Sequence, residues 1–148
     1  MAKPSNRSIS TRHHRWTVTV LRWSAVAFML STLAQAVLAG MFVTGDVDLL
    51  AWHETNANAS PILLVIVAAI LVWRPGRGPA WPIWMSIGLA VLVEAQKMLG
   101  YLRMVDLHIP VGVAIFGLSV WLVVWSFTIR LPDRPPDRRT DEPVEVLP

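Results

Sequence analysis

Leu49–Trp73 reads LLAWHETNANASPILLVIVAAILVW. Only its second half, Pro61 to Trp73, is a clean apolar run. At 1.5 Å per residue that run covers about 20 Å. A bilayer core of about 30 Å needs a longer helix. The helix must therefore start earlier, with Asp48 as its N-cap, and take the polar stretch Ala51–Ser60 as its first half. Polar side chains at membrane depth turn toward a bundle interior or a wet cavity. Pro61, inside the helix, is expected to kink it. This segment is thus read as the wall of a site as well as a span.

Three more apolar runs flank it. The expected spans are residues 16–43, 49–73, 81–104 and 107–130, with a basic tail over 1–15 and a Pro-, Asp- and Arg-rich tail over 131–148 expected to be disordered. The 148 residues are 54% hydrophobic, with a mean hydropathy of +0.50, too apolar for a soluble domain of this size. Six of the eight tryptophans (Trp16, Trp23, Trp52, Trp73, Trp81 and Trp84) lie near run ends, where indole rings favour the headgroup level. The fold class is all-α: an integral membrane, up-down-up-down four-helix bundle. The first run also has the outline of a signal peptide, with a basic start and an Ala34-Gln35-Ala36 triplet. It continues apolar to Val43, however, so it is read as a retained span.

Orientation follows from the basic residues. Lys3, Arg7, Arg12 and Arg15 precede the first run, Arg74 and Arg77 separate the second from the third, and Arg130, Arg134, Arg138 and Arg139 follow the fourth. The first connection, Thr44 to Leu50, has two aspartates and no basic residue. Positive loops stay inside, so both termini are expected in the cytoplasm of a multi-pass cell-membrane protein. The net charge of +3 is then topological, and no nucleic-acid partner is expected. With no cysteine, disulfides, thiolate metal sites, iron–sulfur clusters and c-type haem attachment are excluded.

An internal repeat sharpens this picture. Ala34-Gln35-Ala-Val-Leu-Ala-Gly40 resembles Ala95-Gln96-Lys-Met-Leu-Gly100, and each is followed by an aspartate, a histidine and a proline: Asp48, His53 and Pro61, then Asp106, His108 and Pro110. The spacings differ. Two helical hairpins about a pseudo-two-fold axis along the membrane normal would make Gln35 and Gln96 equivalent and set His53 opposite His108 at one depth. Gly40 and Gly100 would permit close approach.

Two neutral imidazoles at matched depth are what a bis-histidine haem requires, so His53 and His108 are the expected metal ligands, with haem b as cofactor. Ala57 and Gly112, one turn after each histidine, would leave room for the ring. Arg103 and Lys97 could pair with propionates. Gln35, Asn56, Asn58 or Glu54 could take the second imidazole proton. Asp106 fits an N-cap of the fourth span, with Pro110 in its first turn. The bland readings are interfacial histidines, a Glu94–Lys97 pair that merely neutralises itself, an Arg22 that snorkels, and Ser24, Thr32, Ser86, Ser119 and Ser126 as packing residues. His13 and His14, in the basic tail, receive no role. Zinc would need a third ligand such as Glu54 or Asp106. P-loop, dinucleotide, HExxH and serine-nucleophile signatures are absent, and no stand-alone catalytic step is expected.

The carrying motifs are Ala34-Gln35-x-x-Leu38-x-Gly40, Trp52-His53-Glu54-x-Asn56, Ala95-Gln96-x-x-Leu99-Gly100-Tyr101 and Leu107-His108-Ile-Pro-Val-Gly112, within the four-helix core 16–130 and outside both tails. Their layout resembles one half of haem A synthase and, more loosely, cytochrome b561-type haem proteins; small bacterial four-helix membrane proteins share it. In those haem families the paired histidines ligate haem, a role that maps here onto His53 and His108. The synthase glutamate three residues before the helix-two histidine is Leu50 here. With two ligands in the spans, the resemblance implies one haem per protomer, used for electron transfer or haem handling. The expected partners are the lipid bilayer, a redox partner or quinone, and a homo-oligomer or larger membrane complex. The competing readings are a cofactor-free partner subunit and a small transporter-like protein built on Pro61 and the Asn56/Asn58/Ser60 stripe.

The charge pattern makes a direct prediction. A cysteine introduced at Asp46 will react with a membrane-impermeant maleimide in intact cells, whereas one at Ser5 will react only after permeabilisation. The opposite pattern would reverse the assigned topology.

Overall fold

The computed structural model describes residues 6–73 and 80–128, with side chains from Trp16 onward. It holds four helices: α1 (Asn6–Val43), α2 (Leu49–Trp73), α3 (Trp81–Tyr101) and α4 (Val105–Thr128). Each is long and apolar enough to cross a membrane, and the chain is an integral membrane protein. Contacts run α1 to α2, α2 to α3, α3 to α4 and α4 back to α1. The backbones of the diagonal pairs do not come close, so the four helices stand in a square and diagonal partners face each other across the centre.

Several boundaries shift from expectation. α1 begins ten residues before Trp16, so the basic tail continues the helix. α3 ends at Tyr101 rather than Met104, and α4 starts at Val105. Asp106 is consequently not the N-cap; it lies in the first turn of α4, where a carboxylate still complements the helix dipole. Met104 takes the capping position, its carbonyl accepting from the Leu107 and His108 amides. Pro110 falls in the second turn. The expected disordered tail, 131–148, and the Arg74/Arg77 loop lie outside the described residues.

α2 runs through Pro61 as one helix. Proline cannot donate to the carbonyl four residues back, that of Ala57. The Ser60 hydroxyl donates to that carbonyl at 3.3 Å. In hydrocarbon such compensation is obligatory, because water is not there to supply it. The dipeptide Ser60-Pro61 is therefore a self-contained way to pass a proline through a span.

The core is confined to the half of the bundle nearest the termini. Phe28, Leu21, Leu64, Val67, Leu89 and Leu122 are buried there. Ser24, Ser86, Ser119 and Ser126 are buried with them as packing residues, and half-buried Thr32 bonds to Ser119 at 3.2 Å. Arg22 does not simply snorkel: its Nε donates to the Ser126 carbonyl at 3.1 Å and its guanidinium lies 5.0 Å from the Phe127 ring centre. Trp81 stacks on Trp121 and meets Trp125 edge-on, fastening α3 to α4 at the same end. At the other end, where the two hairpin turns lie, no described residue beyond Phe28, Ser60, Val93 and Ile115 is fully buried. The bundle is packed at one end and open at the other.

Both turns are Schellman motifs. After α1, the Asp46 amide reaches the Met41 carbonyl and the Gly45 amide reaches Phe42. After α3, the Met104 amide reaches Leu99 and the Arg103 amide reaches Gly100. The left-handed residue is Gly45 (φ +118°) in the first turn and Arg103 (φ +57°) in the second. A glycine adopts that conformation freely, whereas a Cβ there costs roughly 1–2 kcal/mol. We therefore expect Arg103→Gly to stabilise the protein by about 1 kcal/mol and Gly45→Ala to destabilise it by a similar amount. Both would be read as shifts in thermal midpoint in detergent.

Candidate functional site

The open end of the bundle is organised by two equivalent pairs of reciprocal hydrogen bonds. In the first hairpin, Gln35 Nε2 donates to the His53 carbonyl at 3.0 Å, and His53 Nδ1 lies 3.2 Å from the Gln35 carbonyl. In the second, Gln96 Nε2 donates to the His108 carbonyl at 2.7 Å, and His108 Nδ1 lies 3.0 Å from the Gln96 carbonyl. Each glutamine and histidine thus clamp two antiparallel helices together, side chain to backbone in both directions. A carbonyl can only accept, so both Nδ1 atoms carry the proton. The neutral ring then has its free lone pair on Nε2, and among the described residues neither Nε2 has a hydrogen-bond partner.

The clamps explain the unequal repeat spacing. Gln35 and His53 are 18 positions apart, Gln96 and His108 only 12. α1 continues eight residues past Gln35 to Val43, whereas α3 continues five past Gln96 to Tyr101. His53 then follows Val43 by ten residues and His108 follows Tyr101 by seven. The first hairpin therefore has three more residues in its first helix, two more in its connection and one more in its second helix. All of them lie beyond the clamp.

His53 on α2 and His108 on α4 belong to diagonal helices and meet across the centre, with ring centroids 6.4 Å apart and planes tilted by 48°. Both are half-buried. The structure therefore brings together the two histidines that the sequence singled out. A third donor does not join them: among the described residues no cluster of three or more His, Cys, Asp or Glu forms. Glu54 instead accepts from the Tyr101 hydroxyl at 3.0 Å, and the zinc reading loses its third ligand.

Other assigned residues change role. The second imidazole protons go to main-chain carbonyls, not to Gln35, Asn56, Asn58 or Glu54 side chains. Asn56 supports the first clamp from behind. Its Nδ2 donates to Gln35 Oε1 at 2.7 Å and to the Ser31 carbonyl at 2.8 Å, while its Oδ1 accepts from Ser31 Oγ at 2.8 Å. The equivalent position in the second hairpin, three residues after His108, is Val111. Gln96 Oε1 consequently stays buried without a partner. Lys97 pairs with Glu94 at 2.8 Å and donates to Asn58 Oδ1 at 3.2 Å, so its ammonium is already engaged. Arg103 is exposed in the α3–α4 turn.

Gly112 serves its own helix clamp rather than a ring: a Cβ there would lie 2.9 Å from Gln96 Nε2. Gly100, on the other side of that clamp, would place a Cβ 3.1 Å from His108 Cε1. Gly40 has open space around it and plays no such part; by register from the glutamines the counterpart of Gly100 is Ala39. The rule is a small residue four positions after each clamping residue. Ala39 follows Gln35, Ala57 follows His53, Gly100 follows Gln96, and Gly112 follows His108. The amide of that residue shares the clamped carbonyl in the helix ladder, so an incoming donor must pass over its Cβ position. Where alanines stand the clamp distances are 3.0 and 3.2 Å; where glycines stand they are 2.7 and 3.0 Å. From sequence, Gln35 is a site residue and Gln96 only its repeat counterpart, yet the two do the same work. The pattern Q-x3-small and H-x3-small was the available signal.

Compared with protein-family models, with curated proteins and with solved structures, the chain matches none.

Gly112→Ala will displace the Gln96 side chain and break the tighter clamp. The expected loss is about 0.5–1.5 kcal/mol, the net worth of one hydrogen bond. Gly40→Ala, with nothing to strike, will be neutral or slightly stabilising. Thermal midpoints of the two variants in the same detergent distinguish these outcomes.

Proposed function

We propose that this protein binds one b-type haem between His53 and His108 and serves in electron transfer or haem handling. The observation that carries the reading is the imidazole pair: diagonal helices, centroids 6.4 Å apart, and both Nδ1 atoms tied back to carbonyls. At that separation His53 and His108 could both hold one metal centre, each through its unprotonated Nε2.

The donor set favours haem over a bare ion. Two imidazoles alone would leave most metal ions under-coordinated, whereas a haem would need no ligand from the chain beyond His53 and His108. When bound, such a haem supplies one-electron redox chemistry with no open position for oxygen. The chain's own residues do the rest. Main-chain carbonyls of Gln35 and Gln96 hold both imidazoles as the Nδ1–H tautomer and leave Nε2 available as a ligand. The Asn56–Gln35–Ser31 network fixes the first clamp. Arg103, exposed at the turn end, is free to pair with a propionate, and Lys97 is less suited because Glu94 and Asn58 hold it. With the termini in the cytoplasm, the haem would lie near the outer face.

The test is an absorption spectrum of detergent-purified protein, oxidised and then dithionite-reduced, beside His53→Ala and His108→Ala. Sharp reduced α and β bands, lost or broadened in either variant, are expected of a six-coordinate bis-histidine haem. A colourless wild type after expression with added haem would overturn the reading and leave a cofactor-free membrane subunit as the better account.

A further inference from the structure

One face of the bundle is unlike the other three. Along the outward groove between α2 and α3 runs a polar seam of Glu54, Asn58, Glu94, Lys97 and Tyr101. Tyr101 donates to Glu54, and Lys97 joins Glu94 to Asn58. The outward positions of α1 and α4 are apolar over the same depth, as at Leu33, Val37 and Val113. Glu94 lies seven residues from Tyr101, about 10 Å into the span along α3, and one turn from the helix midpoint. Its side chain is 57% exposed, and that of Lys97 is 19% exposed.

A carboxylate cannot be left against hydrocarbon at that depth without a large penalty, and the Glu94 side chain is too short to reach the headgroups. This face therefore needs a polar cover. The groups left unpaired say what the cover offers. Lys97 uses two of its three N–H donors, on Glu94 Oε2 and Asn58 Oδ1, and Glu94 has only Oε2 engaged. Each chain thus presents one spare donor and one spare acceptor, three residues apart on a single helix face. A two-fold axis along the membrane normal puts identical residues of two copies at identical depth. One donor and one acceptor within a turn of each other are then self-complementary.

We propose that the α2–α3 seam is the interface between two copies of this chain, with Lys97 of each copy donating to Glu94 of the other. The four charges form a closed, neutral cluster shielded from lipid. Exposed apolar side chains flanking it, Val91 and Met98 on α3 and Ile62 and Val65 on α2, complete the contact. The inference does not depend on haem, since it uses neither histidine.

The chain has no cysteine, so single introduced thiols report cleanly. Met98→Cys and Ile62→Cys lie on the seam, and Val113→Cys faces outward on α4. Each variant is oxidised with copper–phenanthroline in membranes and run on non-reducing gels. The expected result is a band of twice the 16.5 kDa chain mass for Met98→Cys or Ile62→Cys, at least ten times stronger than for Val113→Cys. Lys97→Gln in the Met98→Cys background should weaken that band at least threefold. Monomer alone at both seam positions, equal cross-linking at Val113→Cys, or adducts only with another protein would overturn the interface. A band indifferent to Lys97→Gln would overturn the charge pairing on which it rests.

Discussion

Inside a bilayer every backbone or side-chain polar group must find its partner within protein, because no water is available to supply one. That constraint accounts for most of what distinguishes this bundle from four apolar rods. It explains why a serine precedes the proline in α2, since the hydroxyl of Ser60 answers the Ala57 carbonyl that Pro61 cannot reach. It explains why the glutamines and histidines at the open end are locked to each other's main chains. The same constraint makes the exposed Glu94–Lys97 pair a feature that calls for a second protein surface.

The clamps do two things at once. They bind helices that have no hydrophobic drive to associate in lipid, where tails are as apolar as leucine. They also dictate the tautomer of both imidazoles and so leave Nε2 of each ring unprotonated. A structural device and a chemical one are the same four hydrogen bonds. The duplication is not perfect: Asn56 completes the first clamp, whereas Val111 leaves Gln96 Oε1 unanswered in the second. The second clamp is instead drawn tighter by its two glycines. Arg103 in a left-handed position is a further asymmetry, a local strain kept where Gly45 serves the first turn without cost.

Much of this was legible in the residues. The four spans follow from apolar runs of bilayer length, and the need to extend the second span through Ala51–Ser60 was visible from the shortness of its apolar half. The two histidines stood out because ionisable groups in such runs are costly. Their equivalence was readable from the Ala-Gln motifs. Less visible were the boundaries near the second turn, because Arg103 hides a Schellman turn that glycine would have announced. Gly40 attracted attention as a repeat of Gly100, although register from the glutamines selects Ala39. The partners of the imidazole protons were unreadable, since a main-chain carbonyl carries no sequence signature.

Sequence by itself determined that the chain is an all-α membrane bundle of two hairpins and which two imidazoles lie within its spans, because hydropathy and repetition are one-dimensional properties. Only the tertiary structure decided that α2 and α4 are diagonal, that their rings lie 6.4 Å apart, and that each ring gives its Nδ1 proton to a glutamine carbonyl on the neighbouring helix. Those facts depend on rotation and register between helices. Rotation and register are set by clamps whose backbone halves no residue letter encodes.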